Sequence, residues 1–585
     1  MSQMAIQLET AALERTADKI AEEHAKIERS DLAVQRVRSG FDPRDDISFN
    51  FIQVWPSHPK VCLTSSQWSE FLPPYSRAVE FLEFYGTHVV WTYHFVHMPT
   101  LRRHLDETYQ KLACGSSVEP SVVALLCAIF ALATYFLRST PYSRSSNYRE
   151  YREFVSLTSQ ALAEARHIDS PTIESIQAVL LLAGSLFLNL GAIPGFRVLL
   201  TTMFLCAHTL QFHQVDSPKN QRLRQNTPYD RIELEMKRRI WWLIASSDWL
   251  SAFIAGYPIG TYVVHPHQMH VNLPSNADDD AITRDHCPNE PLTTPTDMTY
   301  FIFRCQLSTI FREFIDHANT SGVEIDEMDY EHILTFERRI NEFTDTVPYF
   351  LRSDAESRRR CKELDKQRPY LFWQRYMAQF GAGARMSRLH RQYLARGARD
   401  PRYAYSRMVC LSSSRAVLEA EKQMRADVTD DMPNPSRIWL VMYQVFLATV
   451  VLVMDFIFNK DEPYAEARIA EITECCRRLE EAKDVSPLAE RGLEELKGVM
   501  RKWGLLNDMG TRTNHSERRE VEQPTDTSVP ELLPTQHQDA PMSETAGGSE
   551  LPSSWIDAWD FNVELDFPQW EAIFRDLERK SGVLC

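Results

Sequence analysis

Apolar residues recur at helical spacing along most of this chain. Between about residue 70 and residue 505 the repeat predicts helices over 76–95, 119–137, 154–166, 171–190, 195–211, 229–255 and 298–318. It continues over 327–345, 370–395, 403–426, 436–459, 463–482 and 486–503. Side chains three and four residues apart share one helix face, so this period marks amphipathic helices that need a common core. Alternating strand patterns and Asn-Gly turns are missing, and the chain has only 19 glycines. The pattern predicts an all-α fold, a large multi-helix domain. Ser170-Pro171 reads as an N-cap before a first-turn proline, and Asp461, Glu462 and Pro463 break one helix and open the next.

The ends depart from this pattern. Residues 1–45 form a separate unit, with an amphipathic helix over 4–37. It lacks sustained heptads, which favours packing on the body over a coiled coil. The body runs over 46–508. Residues 509–552 are rich in Ser, Thr, Pro, Gln and Glu and hold no Phe, Trp or Tyr. Such a stretch buries too little apolar surface to offset its ordering entropy, so a disordered linker is expected. Residues 553–585 interleave Trp555, Trp559, Phe561, Phe567, Trp570 and Phe574 with Asp and Glu. Acid-aromatic alternation of this kind is the composition of an activation segment, which folds as a short terminal helix on a coactivator groove. The alternative is a terminal helix folded back on the body.

Two apolar stretches, 121–137 and 438–458, raise the question of a membrane. The first is shorter than the ~20 residues a span needs. The second carries Gln444 and Asp455. Both fit buried central helices better, and no membrane association is expected. Net charge is −16, which gives no overall basis for gripping phosphates. The 11 cysteines are irregularly spaced and include no Cys-x-x-Cys, the usage of a reducing compartment rather than a disulfide or zinc module. The start, MSQMAIQLET, has neither a basic nor an apolar leader region, so secretion is not expected.

The most informative stretch is KRRIWWLIASSDWLSAFIAGYPIG, residues 237–260. On a helical wheel Lys237, Trp241 and Asp248 fall within about 40° of one another. Trp242 and Trp249 form a neighbouring stripe. A DNA-reading helix exposes Arg, Asn and Gln, whereas this one presents Trp, Leu, Ile and Ala, and is read as an internal helix. Arg238 and Arg239 near its start oppose the macrodipole unless Glu233 and Glu235 compensate. Asp248 among tryptophans must find a donor, with Lys237 or an arginine of another helix the natural partner. Gly256 offers a left-handed C-terminal position, and Pro258 stops the helix.

These residues, followed by VNLP at 271–274 with its Pro274 and by Asp278-Asp279-Asp280, resemble the regulatory middle-homology domain of fungal transcription factors. VHMPTLRRHL (96–105), IESIQAVLLLAGSLFLNLG (173–191) and AHTLQFHQ (207–214) match further pieces of that domain in order. The best-matching core spans about 80–310. Tyr257 stands where the family has Arg, and Gln211-Phe212 replaces Gly-Leu. Most members begin with a six-cysteine, two-zinc cluster, which the cysteines here cannot build. No cofactor is therefore expected in this chain, zinc belonging only to a missing N-terminal cluster.

The resemblance implies a non-enzymatic nuclear regulator of metabolic or biosynthetic-cluster genes, tuned through an effector or a partner. Its DNA targeting would come from a DNA-binding partner, a homodimer or a missing zinc-cluster module, and its tail would engage a coactivator. The competing reading is a small-molecule-binding or catalytic helical protein on the same fold, which requires a closed apolar cavity near His265, His267 and His270. Those histidines, close to Asp278–Asp280, are candidate metal ligands, although loop histidines are more often surface residues. The basic runs at 356–368 and 385–399 read as solvated helix ends or import signals.

Overall fold

The computed structural model describes residues 65–137, 151–190, 193–253, 260–323, 325, 328–429, 432–460 and 462–502. Among them are seventeen α-helices and no strand, as the periodicity predicts. The 1–45 unit, the 509–552 linker, the 553–585 tail, Gly256 and Pro258 lie outside the described residues.

The first group of helices is α1 (Ser65–Phe71), α2 (Tyr75–His88), α3 (Met98–Ala113), α4 (Pro120–Leu137), α5 (Tyr151–Glu164), α6 (Ile173–Leu182), α7 (Ile193–Thr209), α8 (Pro218–Asn226) and α9 (Arg231–Ser251). Helix α4 is its axis. From Val123 to Ala133 no residue is more than 2% exposed, because α2, α5 and α6 pack around it. Phe130 meets Phe81 and Phe154 in tilted and edge-on contacts at 5.7 and 5.6 Å, a geometry aromatic pairs prefer.

Residues 260–298 have little regular structure beyond two single 3-10 turns. The second group follows: α10 (Thr299–Ser321), α11 (Tyr330–Thr346), α12 (Ala355–Gln367), α13 (Tyr370–His390), α14 (Ala404–Asp427), α15 (Trp439–Phe458), α16 (Ala465–Ala482) and α17 (Pro487–Lys502). Helix α15 is its buried centre, packed by α13, α14 and α16. Helix α9 joins the groups by packing on α6, α7 and α10, and α10 in turn touches α13.

Helices α4 and α15 are long and apolar enough to cross a membrane, yet 83% and 89% of their apolar windows are buried inside the body. Asp455 shows how α15 tolerates a charge there. Arg407 and Arg468 each reach it at 2.7 Å, so the carboxylate is neutralised where it is buried.

Several boundaries differ from the sequence reading. Helix α6 is capped by Thr172, not Ser170. The Thr172 hydroxyl accepts from Ser175 N at 3.1 Å, and the Ser175 hydroxyl accepts from Thr172 N at 2.9 Å. This reciprocal box satisfies two amides that Ser170 could not reach. Helix α9 ends at Ser251 rather than 255. Helices α1, α3 and α8 were not anticipated, and α12 was anticipated only as a solvated helix end. In α3, His97 is the N-cap and Pro99 lies in the first turn. The first basic run is the whole of α12, of which only Ser357 and Cys361 are buried. The second is not solvated: Arg388, His390 and Arg391 are buried at the end of α13 and in the turn beyond it.

Candidate functional site

The signature residues of α9 converge on the irregular crossing at 260–298, which has no ladder of its own to satisfy its backbone. Such backbone must borrow partners from elsewhere, and α9 supplies them along its length.

Asp230 caps α9 by accepting from Ile232 N at 2.8 Å and Glu233 N at 3.3 Å. Arg238, about two turns later, makes a two-pronged pair with Asp216 at 2.8 and 2.7 Å. Asp216 also receives Arg224 at 2.9 Å and the Asn272 amide at 2.9 Å. Burial alone would raise its pKa, but these donors outweigh that and hold it below the usual carboxylate range. Trp242 donates its indole N–H to the Asn272 carbonyl at 2.9 Å, and Trp249 donates to Val264 at 2.8 Å. The two indoles meet edge-on at 6.0 Å, which is the stripe expected from their seven-residue spacing. Asp248 accepts from the backbone amides of Val263 and Val264, both at 2.7 Å. Its donor is thus neither Lys237 nor an arginine. Lys237 turns instead to Glu233, one turn back. Trp241 is buried on the other side, against Phe204 and His213.

Arg239 is the centre of the arrangement and has no exposed surface. Its guanidinium reaches Asp279 Oδ1 at 2.7 Å, Glu235 Oε1 at 3.2 Å and the His94 carbonyl at 3.3 Å. Glu235 Oε1 also accepts the Ser275 amide at 2.9 Å, beside Pro274. Every polar atom of Asp279 is engaged. Its Oδ2 accepts from Met98 N at 2.9 Å and faces His94 Nε2 at 3.2 Å. Its carbonyl meets His97 Nε2 at 3.0 Å, and its amide donates to Asp297 at 3.0 Å. Asp278 is gripped by Arg368 at 2.7 Å through both oxygens. One buried aspartate, through its carboxylate and its backbone, therefore ties α3, α9, the crossing and the residues just before α10 together.

The two histidines are shifted in opposite directions for physical reasons. Burial disfavours the charged form of His94, but the Asp279 carboxylate in contact with it prevails, so its pKa is raised. Burial pushes His97 down instead. A neutral His97 matches its contacts, since Nδ1 accepts the Thr100 amide and Nε2 faces a carbonyl. His94 also has φ +44°, a left-handed backbone that is strained for a side chain of its size. Strain of this sort, about 1–3 kcal/mol, persists where surroundings over-determine the residue. Here Asp279 and Arg239 hold its ring and its carbonyl.

Ligand atoms of His94, Asp279 and Asp297 lie within 4.8 Å of one another. A cation already occupies this position, because Arg239 sits 2.7 Å from Asp279. The group is therefore read as an ion-pair cluster. The proposed ligands His265, His267 and His270 do not belong to it. His265 faces Tyr262 at 5.4 Å, and the His270 amide donates to the His213 carbonyl. A cleft of about 310 Å³ opens beside the clasp, lined by Asp216, Arg224, Tyr229, Arg238, Asn272 and Cys287 among others. It is polar and open, unlike the closed apolar cavity that the competing reading requires.

Sequence reasoning identified Arg238, Arg239, Trp242, Asp248 and the acidic run, but missed His94, Asp216, Asp297 and Arg368. Two adjacent arginines on an internal helix call for two buried acids, and that was the available signal for Asp216 and Asp279. Nothing local marks Arg368, which is 90 residues from Asp278.

At this site arginine–carboxylate pairs and indole N–H donors hold the irregular crossing against the helices. The comparisons with known proteins say which class of molecule this is. The fungal specific transcription factor domain matches residues 82–318, which contain the whole clasp except Arg368. The agnestins biosynthesis cluster transcription factor AgnL11 of Paecilomyces divaricatus is 37% identical over 521 residues, 87% of this chain and 73% of its own length. The probable transcription factor lepB of Aspergillus flavus is 34% identical over 443 residues, 74% of this chain and 78% of its own. Transcription factor TAS2 of Pyricularia oryzae is 27% identical over 396 residues. The chain belongs to the fungal-specific transcription factor family and is a fungal transcriptional regulator.

Proposed function

We propose that this chain acts in the nucleus as a regulator of a biosynthetic gene cluster. The observation that carries the reading is its 37% identity, over 87% of its length, to a relative named as a biosynthesis-cluster transcription factor. On this reading the helical body is the regulatory module and responds to a small-molecule effector or a partner. The 553–585 segment recruits coactivator through Trp555, Trp559, Phe561 and the aromatic residues beyond them. DNA targeting comes from a zinc-cluster module on a longer form, from a DNA-binding partner or from a homodimer, since the chain's cysteines include no Cys-x-x-Cys pair.

A tethering assay tests this. The full chain is fused to a foreign DNA-binding module and reporter output is measured in a fungal host, with the fusion's location followed by fluorescence. The expected result is nuclear accumulation and activation that falls to the empty-module baseline in a Trp555→Ala, Trp559→Ala, Phe561→Ala variant. A silent nuclear fusion, or activation untouched by the triple substitution, counts against the tail's assignment.

A further inference from the structure

A second charged cluster lies where α9, α10 and α13 converge. Arg304 on α10 donates to the hydroxyls of Ser246 and, at 3.0 Å, Ser247 on α9. Its guanidinium lies 5.3 Å from the centre of the Tyr93 ring. Arg385 on α13 donates to the Gly381 carbonyl of its own helix at 2.9 Å and lies 5.5 Å from the Phe311 ring. The two cations stand in each other's field, with Tyr300 and Tyr443 beside Arg385. Among the described residues, no carboxylate pairs with either one.

The cluster keeps contact with solvent-accessible space: Tyr93, Tyr300, Arg304 and Arg385 each retain part of their surface. Converging aromatic and charged side chains that stay accessible among packed helices are the lining of a cavity. Gly184, in the single π-turn Ala183–Phe187, adjoins it: a Cβ there would touch the Tyr93 ring at 3.4 Å. π-turns within helices concentrate at functional sites.

Two partly buried guanidinium groups without a counter-charge are costly in isolation. Burial and the neighbouring Arg304 together lower the pKa of Arg385 to about 10. Serine hydroxyls and tyrosine rings orient the cations but do not neutralise them. An anion between the two would remove the deficit. The planar guanidinium fork matches a carboxylate, and the tyrosine faces match a flat apolar body.

We propose that this cavity binds a small aromatic carboxylate, its carboxylate group between Arg304 and Arg385 and its ring against Tyr93 and Tyr300. The proposal rests on the regulator reading for its biological consequence alone, as the effector site of the body. Binding to the purified chain stands or falls without any transcription readout.

The test titrates the purified full chain with 2-naphthoate and, separately, with its uncharged methyl ester, following tryptophan fluorescence and thermal melting. The expected result is saturable binding of the acid, much weaker binding of the ester, and a rise in Tm with the acid alone. Arg304→Met and Arg385→Met each weaken acid binding by roughly tenfold or more. Each ligand-free variant also melts higher than the parent, because an uncompensated buried charge has gone. Arginines with a merely structural role would give lower melting in both. Absence of saturable acid binding, equal binding of acid and ester, acid binding unchanged in both variants, or lower melting of both ligand-free variants overturns the proposal. Tethered activation that persists alongside such a result leaves the regulator reading standing and removes only the cavity's role.

Discussion

Arg239 is a guanidinium without access to water, and its place is set by what it neutralises. Asp279 and Glu235 are almost as deeply buried. Removing the cation leaves two carboxylates facing each other in the interior, the case in which breaking a buried pair costs about 3–5 kcal/mol. Arg239→Met should therefore lower unfolding stability by that order, measured by urea denaturation. Lys237→Met, two residues earlier on the same helix, should change it little, because that ion pair is exposed at the glutamate. The same cluster sets a pH dependence. The pKa of His94 is raised, so its contribution is complete below the unfolded value of about 6.5 and is lost as pH rises through the folded one. Burial would raise Asp279, but His94 and Arg239 depress it strongly, so its contribution is present above about pH 4 and lost as pH falls. Stability from the His94–Asp279 pair is thus greatest between about pH 4 and 6.5. In His94→Gln the alkaline decline should disappear, with parent and variant differing most near pH 6 and converging toward pH 9. Parallel denaturation curves across that range check it.

At the scale of the element, α9 serves as a spine for a segment that cannot fold alone. Its i, i+7 tryptophans and its Asp248 face the crossing, and each contact goes to backbone rather than to another side chain. The helical wheel correctly grouped these residues but could not say that their partners were amides and carbonyls of residues 263–272. In Asp248→Ala two amides lose their acceptor, at about 1–3 kcal/mol for each that stays unsatisfied. The expected readout is faster hydrogen exchange at Val263 and Val264 with exchange in α4 unchanged. Uniform acceleration throughout the body would mean that Asp248 supports the whole fold instead of this local seam. Helix α3 was missed, and α12 was seen only as a helix end, for opposite reasons. A motif reading drew attention to VHMPT and away from the helix that it begins. The strongly basic α12 buries so little that its apolar period is nearly silent.

Across the whole molecule, charge and composition limit what the body does with nucleic acid. A chain of net charge −16, many of whose described arginines pair with carboxylates, offers few phosphate contacts. The purified chain should show no salt-dependent affinity for duplex DNA in an anisotropy titration, because such affinity grows with the number of phosphates neutralised. A submicromolar, site-specific footprint by this chain would contradict the assignment of DNA targeting to another module or partner.

The sequence alone determined the class of fold, the position of most helices, the internal nature of the double-tryptophan helix and the family. All of these depend on local periodicity or on short motifs, which neighbouring residues carry together. Tertiary structure alone decided which acid meets which arginine, that Asp248 serves backbone amides, and that Arg304 and Arg385 stand in each other's field without a carboxylate partner among the described residues. Those facts join residues up to 90 positions apart, and chain separation holds no record of the distance that packing gives them.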